Sequence, residues 1–139
     1  GATAGFSTAP ASKIYLPIDT AKNYPNVAQE EKDPNSQLNY VKKLIEMRKA
    51  HPALGTQGEW TLISDVNQAY PMVYLRSTEK ERILVVLNPS GKEVECTFPS
   101  FGIKKPVQIW GDSKKCSYKS GKENDKIKVK AISFVMYQL

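Results

Sequence analysis

The spacing of apolar residues changes once along this chain of 139 residues, and that change limits the folds it can adopt. Over residues 34–54 apolar side chains recur every three or four positions, the period of one helix face. Asp33 is a favourable N-cap, and Pro34 suits the first helical position. Pro52 disfavours helical geometry in the residue before it, so we expect this amphipathic helix to end near Ala50. The apolar face consists of Leu38, Val41, Leu44 and Ile45.

From Gly55 onward apolar residues alternate with other residues, which is the period of a β-strand. Turn-forming residues separate these stretches. We therefore predict a mainly β fold, an antiparallel β-sandwich of the Greek-key type with about seven or eight strands over residues 55–139. The alternating residues are Trp60, Leu62, Met72, Tyr74, Ile83, Val85, Leu87, Val94, Cys96, Phe98, Val107, Ile109, Ile127, Val129, Ile132, Phe134 and Met136.

Residues 1–33 show no regular period and are interrupted by Gly5 and several prolines. Only Lys13–Ile18 has the composition of a short strand. An irregular segment of this length is uncommon inside a compact domain. We expect it to be either a functional loop or a segment that needs a partner surface.

The formal net charge of +6 comes largely from lysines in the last third of the sequence. They stand singly along predicted strands and turns, which is typical of a solvated face and of sheet edges. Proteins that bind nucleic acids usually add arginine and aromatic platforms. We therefore expect no nucleic-acid partner. The lysines are Lys104, Lys105, Lys114, Lys115, Lys119, Lys122, Lys126, Lys128 and Lys130.

No apolar stretch approaches the roughly 18–20 residues of a membrane-spanning helix, so no membrane partner is expected. The longest run, residues 83–87, fits a buried strand. Residues 1–11 lack the basic and then apolar pattern of a signal peptide. The sequence thus leaves the compartment open between the cytoplasm and a periplasmic or secreted location.

Two cysteines, Cys96 and Cys116, are too few for a disulfide framework in a domain of this size. Two free, half-buried thiols are favoured over a single bridge. His51 is the only histidine, and with two distant cysteines it does not provide the ligand spacing of a metal site. No glycine-rich phosphate loop is present either. We predict no metal and no cofactor.

Several stretches of the sequence resemble, in order and spacing, the end of enzymes of the α-amylase superfamily, glycoside hydrolase family 13. The resemblance is to the branch of α-glucosidase, oligo-1,6-glucosidase and trehalose synthase. It covers the loop before the last helix of a catalytic barrel, that helix, and the strands of a C-terminal domain. The stretches are AGFS at 4–7 and YLPI at 15–18 for the loop, DPNSQLNYVKKLIEMRKAHPAL at 33–54 for the helix, and VYLR at 73–76, ILVVLN at 83–88 and FVMY at 134–137 for the strands.

The resemblance implies a (β/α)8 barrel on the same polypeptide, most of which is missing from this chain. Residues 1–33 would be the loop after the eighth barrel strand, and residues 34–54 the last barrel helix. Active sites of such barrels lie on these loops. Phe6 and Tyr15 are therefore candidates for the rim of an α-glucoside pocket, because aromatic rings pack on sugar faces. In the alternative, Phe6 anchors the loop in the barrel core and Tyr15 is a half-buried strand residue.

We expect no catalytic residue in this chain. Retaining glycoside hydrolysis needs two carboxyl groups about 5–5.5 Å apart, one of them with a raised pKa. The family's three catalytic carboxylates come from barrel strands four, five and seven, which are absent. His51 is the only base for a nucleophile and is expected to cap the helix. The acids present fall in polar or turn contexts that predict exposure: Glu30, Glu31, Glu46, Asp65, Glu79, Glu81, Glu93, Glu95, Asp112, Glu123 and Asp125.

The resemblance thus implies a non-catalytic C-terminal domain that stabilises the barrel of a hydrolase or transglycosidase of carbohydrate metabolism. A carbohydrate-binding module is the alternative, with stacking platforms supplied by Trp60 and Trp110 together with Tyr70, Tyr118 and Tyr137. Against it stands the interpretation that both tryptophans are core or interface residues. A third class, the heavy chains of amino-acid transporters, shares the fold but uses it as a partner surface. The absence of a transmembrane segment in the sequence disfavours this class.

Overall fold

The structure is a computed structural model that describes residues 7–18, 21 and 24–139. The chain divides into two compact units, Gly1–Met47 and Arg48–Leu139. Within the described ranges, no helix has both the length and the apolar character needed to cross a membrane.

The first regular element among the described residues is a 3-10 turn, Ala11–Lys13, and not a strand. The amide of its last residue donates to the Pro10 carbonyl oxygen at 2.9 Å. Residues 14–18 contain no strand either. The predicted strand Lys13–Ile18 is therefore wrong. The fixed φ of Pro10 favours the turn, and Pro17 lacks the amide hydrogen that a sheet would use.

Two helices follow, a single turn α1 (Val27–Glu30) and a longer helix α2 (Gln37–Ala50). Ser36 caps α2, because its hydroxyl accepts a hydrogen bond from the Asn39 amide at 3.2 Å. The same hydroxyl donates to the Glu30 carbonyl oxygen at 2.7 Å. A hydroxyl can accept and donate at once, so one side chain joins the end of α1 to the start of α2.

The start of this helix differs from the prediction, and its end agrees with it. Asp33 does not cap α2; its Oδ1 accepts from the Asn35 amide at 2.9 Å in the preceding turn. Pro34 lies in that turn, and the helix begins at Gln37. The predicted end at Ala50 is confirmed.

The predicted apolar face of α2 is open in this chain. No residue of α2 is buried. Leu38 and Leu44 are half-buried, whereas Val41 and Ile45 are 40% and 48% exposed. An apolar stripe on a helix normally packs against a core, so this stripe is suited to a partner surface.

Eight antiparallel strands make up the second unit, with the order β1-β2-β3-β8-β5 in one sheet and β4-β7-β6 in the other. The predicted mainly β, antiparallel sandwich is confirmed. Sequence alternation did not reveal the short strand β6. The strands are β1 (Glu59–Leu62), β2 (Met72–Ser77), β3 (Arg82–Asn88), β4 (Val94–Pro99), β5 (Val107–Trp110), β6 (Cys116–Lys119), β7 (Asn124–Val129) and β8 (Ser133–Gln138).

The centre of the fold is β3, which is buried on both faces of the five-stranded sheet. Leu84 and Val86 join the core between the two sheets, while Ile83 and Val85 pack on the opposite side. Full burial of each such side chain contributes about 1.5–3 kcal/mol. The core between the sheets also contains Val73, Cys96, Phe98, Ile127, Val129, Val135 and Tyr137.

The alternation of apolar residues in β8 does not show which face of the strand packs in the core between the two sheets. The predicted apolar set began at Ile132, which lies before the strand and is 74% exposed. Val135 and Tyr137, on the other face, are the residues in the core between the sheets. Because both faces of this sheet are apolar, period two cannot tell one from the other.

The cysteines agree with the favoured interpretation. Both are free, with Cys96 buried and Cys116 half-buried. Burial is the main cause that raises the pKa of each thiol.

Asp125, which the sequence places in a polar turn, is fully buried on β7. Its Oδ1 accepts hydrogen bonds from Ser100 Oγ at 2.8 Å and the Gly121 amide at 3.1 Å. Its Oδ2 accepts from the Phe101 amide at 3.0 Å and from the Tyr118 hydroxyl. The expectation that this acid is exposed is therefore wrong. One carboxylate ties the residues after β4 to the connection between β6 and β7.

These donors decide the charge state of the buried group. Burial alone would raise the pKa of Asp125, but its hydrogen bonds outweigh burial and hold the pKa below the ordinary value. Burial and the bond to Asp125 raise the pKa of Tyr118. Since the folded pKa of Asp125 lies below the unfolded one, the carboxylate stabilises the fold above the unfolded pKa. That contribution is lost as the pH falls through the folded pKa.

We expect Asp125→Asn to lower the free energy of unfolding at neutral pH by about 2–3 kcal/mol, because an amide nitrogen would face hydrogen-bond donors. Urea denaturation followed by tryptophan fluorescence measures this change. Tyr118→Phe removes a single donor and should cost about 1 kcal/mol. The difference between wild type and Asp125→Asn should shrink on acidification. Equal stability at neutral pH would contradict the structural role of the carboxylate.

Candidate functional site

The two predicted rim residues fall in the first unit, and the structure describes one of them. Phe6 lies outside the described residues. Tyr15 follows the 3-10 turn and is 98% exposed, so the alternative of a half-buried strand residue is wrong. Its role at a sugar pocket stays a prediction. Tyr15 lines a cavity of about 550 Å3 together with Ser7, Ala9, Lys13, Ile14, Leu16, Pro17 and Ile18.

The second unit carries its candidate site on the outer face of the five-stranded sheet, the face turned away from the three-stranded sheet. Strand register places its side chains together, since Tyr74 pairs with Val85 and Val85 pairs with Met136. Directly opposed residues of antiparallel strands share a face. Arg76 and Gln138, which oppose Ile83, share this face with its apolar side chains, which are Trp60, Leu62, Met72, Tyr74, Ile83, Val85, Leu87, Ile109, Trp110, Phe134 and Met136.

Only the middle of this face is well covered. A second 3-10 turn, Pro52–Leu54, places the fully buried Ala53 against Ile83 and Val85. Toward the edge of the sheet, Trp60 is 51% exposed. An apolar surface that is open at its margins is typical of a site that contacts another surface.

The two predicted stacking residues lie on opposite edge strands of this sheet. Trp60 on β1 packs against Tyr74, with ring centroids 5.9 Å apart. Trp110 on β5 stacks on Phe134, with centroids 6.5 Å apart and an interplanar angle of 21°. Each tryptophan therefore already contacts an aromatic neighbour within the sheet.

A β-bulge in β5 brings Trp110 to this face. The register with β8 shifts between Gln108 and Trp110, so an extra residue, Ile109, packs on the same side. The next residue, Gly111, has a φ of 101°, and a Cβ there would lie 2.5 Å from the Phe134 carbonyl oxygen. Only glycine fits this close approach.

Two charged side chains hold residues 51–55, the turn that follows α2. Arg76 on β2 donates from Nε to the Ala53 carbonyl oxygen at 3.0 Å and from Nη2 to the Gly55 carbonyl oxygen. Glu81, just before β3, accepts from the Ala53 amide at 2.9 Å. A cation on β2 and an anion in the turn before β3 thus satisfy backbone groups of the same turn.

His51 does not serve as the predicted helix cap, because its ring pairs with Glu81. The distance from His51 Nδ1 to Glu81 Oε1 is 2.7 Å, and the two side chains are 19% and 11% exposed. The expectation of an exposed Glu81 is therefore wrong too. The second carboxylate oxygen is used by the turn, so this acid is committed to structure.

Glu30 is half-buried as well, and its Oε2 accepts from the Leu38 amide at 3.1 Å, whereas Glu93 and Glu95 agree with the prediction of exposure. Glu93 and Glu95 face solvent on β4 and just before it. They pair with Lys128 and Lys126 respectively, each at 2.7 Å. Among the residues that the structure describes, no three His, Cys, Asp or Glu side chains are grouped as metal ligands.

Sequence reasoning missed the structural roles of Arg76, Glu81 and Asp125. Two of them carried a readable signal. Arg76 is the only charged residue in β2, and Asp125 is in phase with the buried Ile127 and Val129. A charge at a core-phase position of a strand predicts a buried polar network. Glu81 lies in a turn and gives no such signal.

Three comparisons with known proteins agree with this fold. The family described as Maltogenic Amylase, C-terminal domain, matches residues 63–125. Oligo-1,6-glucosidase from Parageobacillus thermoglucosidasius is 31% identical over 76% of this chain and 18% of its own length. Trehalose synthase from Thermus thermophilus is 33% identical over 61% of this chain and 9% of its own. Trehalulose synthase MutB from Pseudomonas mesoacidophila superimposes with a TM-score of 0.76 at 28% identity, covering 99% of this chain and 23% of that enzyme.

These matches define a class: the chain belongs to the C-terminal region of the α-amylase superfamily, glycoside hydrolase family 13. Its relatives include oligo-1,6-glucosidase and trehalose synthase, the branch that the resemblance indicated, and also maltogenic α-amylase. It spans less than a quarter of the length of each of these relatives.

Gly58 allows the turn and Arg76 to approach each other, and we expect Gly58→Ala to destabilise the chain. A Cβ at Gly58 would lie 2.0 Å from the Ala53 carbonyl oxygen and 3.0 Å from Arg76 Nη2. We expect a loss of about 1–3 kcal/mol in urea denaturation. Gly91→Ala is the matched control, because nothing lies within 4 Å of its Cβ position. Equal midpoints of urea denaturation for the two variants would contradict a close approach of Gly58 to Ala53 and Arg76.

Proposed function

We propose that this chain is a non-catalytic C-terminal domain of an enzyme that hydrolyses or transfers α-glucosides, and that it stabilises the catalytic barrel of the same polypeptide. The carrying observation is the agreement of fold and sequence with enzymes more than four times as long. In this proposal residues 1–33 form the last barrel loop, residues 34–54 include the last barrel helix, and residues 55–139 are the sandwich domain.

The exposed apolar surfaces support a stabilising role. The stripe on α2, with Val41 and Ile45, and the margins of the outer face, with Trp60, are open in this chain. Contact with a barrel would bury apolar area, and each Å2 buried would contribute about 25 cal/mol to the stability of the whole. The domain would then contribute to stability without touching substrate.

The disposition of the acids supports the absence of catalysis in this chain. Asp125 and Glu81 are committed to hydrogen bonds within the fold. Glu93 and Glu95 are exposed and paired with lysines. A general acid needs a raised pKa, and the pKa of Asp125 is lowered instead.

The purified 139-residue chain should show no turnover of an aryl α-glucoside, whereas the complete polypeptide should hydrolyse or transfer it. The reason is that the catalytic carboxylates of the family lie on barrel strands. Release of the aryl alcohol, followed by absorbance, measures this. A heat-denatured sample is the control for spontaneous hydrolysis. Turnover by the purified chain above that control would contradict a non-catalytic role, and an inactive complete polypeptide would contradict the enzyme assignment.

A carbohydrate-binding module is the second candidate, favoured by the exposure of Trp60 at one edge of the sheet. Aromatic side chains that present an open face can stack on sugar rings. Trp110 is half-buried and stacked on Phe134, which makes it the weaker platform.

Titration with maltooligosaccharides, followed by tryptophan fluorescence, separates the two candidates. We expect no saturable change, since both tryptophans already pack on aromatic neighbours within the sheet. A saturable change that disappears in Trp60→Ala but persists in Trp110→Ala would establish sugar binding at the exposed edge. The pair of variants controls for a general loss of fluorescence.

A further inference from the structure

Ile132 adopts a backbone conformation that suits its side chain poorly. Its φ of 46° lies in the left-handed region, where a β-branched residue is strained. The side chain gains no burial in return, because the residue is 74% exposed. Glycine or asparagine would take this conformation at lower cost. The strain therefore calls for a reason outside the packing of this chain.

The segment around Ile132 is held in place by a buried hub, the side chain of Asn88, which is 1% exposed. Its Nδ2 donates to the carbonyl oxygens of Lys92 at 2.8 Å, Val129 at 3.2 Å and Lys130 at 2.9 Å. These bonds join the turn after β3 to the connection between β7 and β8.

The side-chain oxygen of Asn88 also takes part in fixing this segment. Asn88 Oδ1 accepts from the amide and from the hydroxyl of Ser90, at 3.1 and 2.6 Å. The amide of Ile132 in turn donates to the Ser90 carbonyl oxygen at 3.0 Å. Ser133 Oγ donates to the Lys130 carbonyl oxygen at 2.7 Å. The conformation that presents Ile132 is thus fixed by hydrogen bonds before any partner arrives.

Beside Ile132 lies a shallow cavity of about 330 Å3. Leu87 and Phe134 in its lining belong to the outer face. The cavity therefore continues that face at the start of β8. No charged side chain lines it, and the Asn88 amide is already fully hydrogen-bonded. A sugar would require polar partners here, whereas an apolar protein surface would not. The lining residues are Leu87, Asn88, Pro89, Ile132, Ser133 and Phe134.

We infer that Ile132 and this cavity form a docking site for apolar side chains of the barrel part of the longer polypeptide, with Ile132 as the projecting contact. The inference rests on the proposed function, because the occupant is the segment that matched enzymes possess and this chain lacks. The site is continuous with the open outer face, and its fixed frame lowers the entropy cost of contact. The strain at Ile132 is offset once its side chain is buried between the two parts.

This site predicts that one substitution has different effects on the melting temperature in two settings. In the isolated chain, Ile132→Asn should leave the melting temperature unchanged or raise it, because asparagine tolerates a positive φ. In the complete polypeptide, the same substitution should lower it by about 2 °C or more, because a buried apolar contact is lost. Val66→Asn is the matched control, since Val66 is also β-branched and is 80% exposed, but has no positive φ. It should shift neither melting temperature.

Ile132→Gly should repeat the pattern expected for Ile132→Asn, because glycine also tolerates a positive φ. Hydrogen exchange of the Ile132 amide in the wild type tests the same contact without a substitution. Slower exchange in the complete polypeptide than in the isolated chain supports docking. An equal change of melting temperature in both settings, or equal exchange rates, overturns it. Activity of the complete polypeptide is a separate readout. If the polypeptide is inactive but Ile132→Asn still lowers the melting temperature only in the complete polypeptide, the enzyme assignment is removed and the docking site is kept.

Discussion

A sheet that is apolar on both faces is the constraint on which the rest of this structure depends. Its central strand buries Leu84 and Val86 on one side and Ile83 and Val85 on the other. The three-stranded sheet buries the core residues of the first side, whereas a short turn covers only the middle of the second. A sheet with two apolar faces needs two coverings. The open margins of the second face, with their edge tryptophans, support the proposal of a domain that works within a larger polypeptide.

Four polar side chains hold the connections around this sheet at three places. Asp125 accepts hydrogen bonds from residues after β4 and before β7. Arg76 and Glu81 bind the backbone of the turn after α2. Asn88, at the end of β3, binds the backbone of the connection between β7 and β8. In each case side chains satisfy backbone groups that no strand pairs. The strands are positioned by apolar packing, and the loops by a few buried polar side chains.

How much of this could be predicted from the sequence depends on how local the cause is. The period-two pattern and the turn residues gave the mainly β sandwich, and Pro52 gave the end of α2. The choice of Ser36 over Asp33 as cap depends on a contact with Glu30, six residues away. The burial of Asp125 depends on two connections meeting at one point. Trp60 and Trp110 were chosen from the sequence as a pair, but their placement on opposite edges follows from strand order, which no local pattern contains.

The position of β8 has a consequence for how the chain folds during synthesis. This strand follows every other strand in sequence, yet it lies between β3 and β5. Strands β1, β2 and β3, and separately the strands of the three-stranded sheet, can pair as they emerge from the ribosome. Strand β5 cannot pair until β8 has been synthesised. The large sheet is thus completed by a long-range step, which is slow compared with local pairing. Until then one long edge of β3 remains unpaired and open to wrong partners.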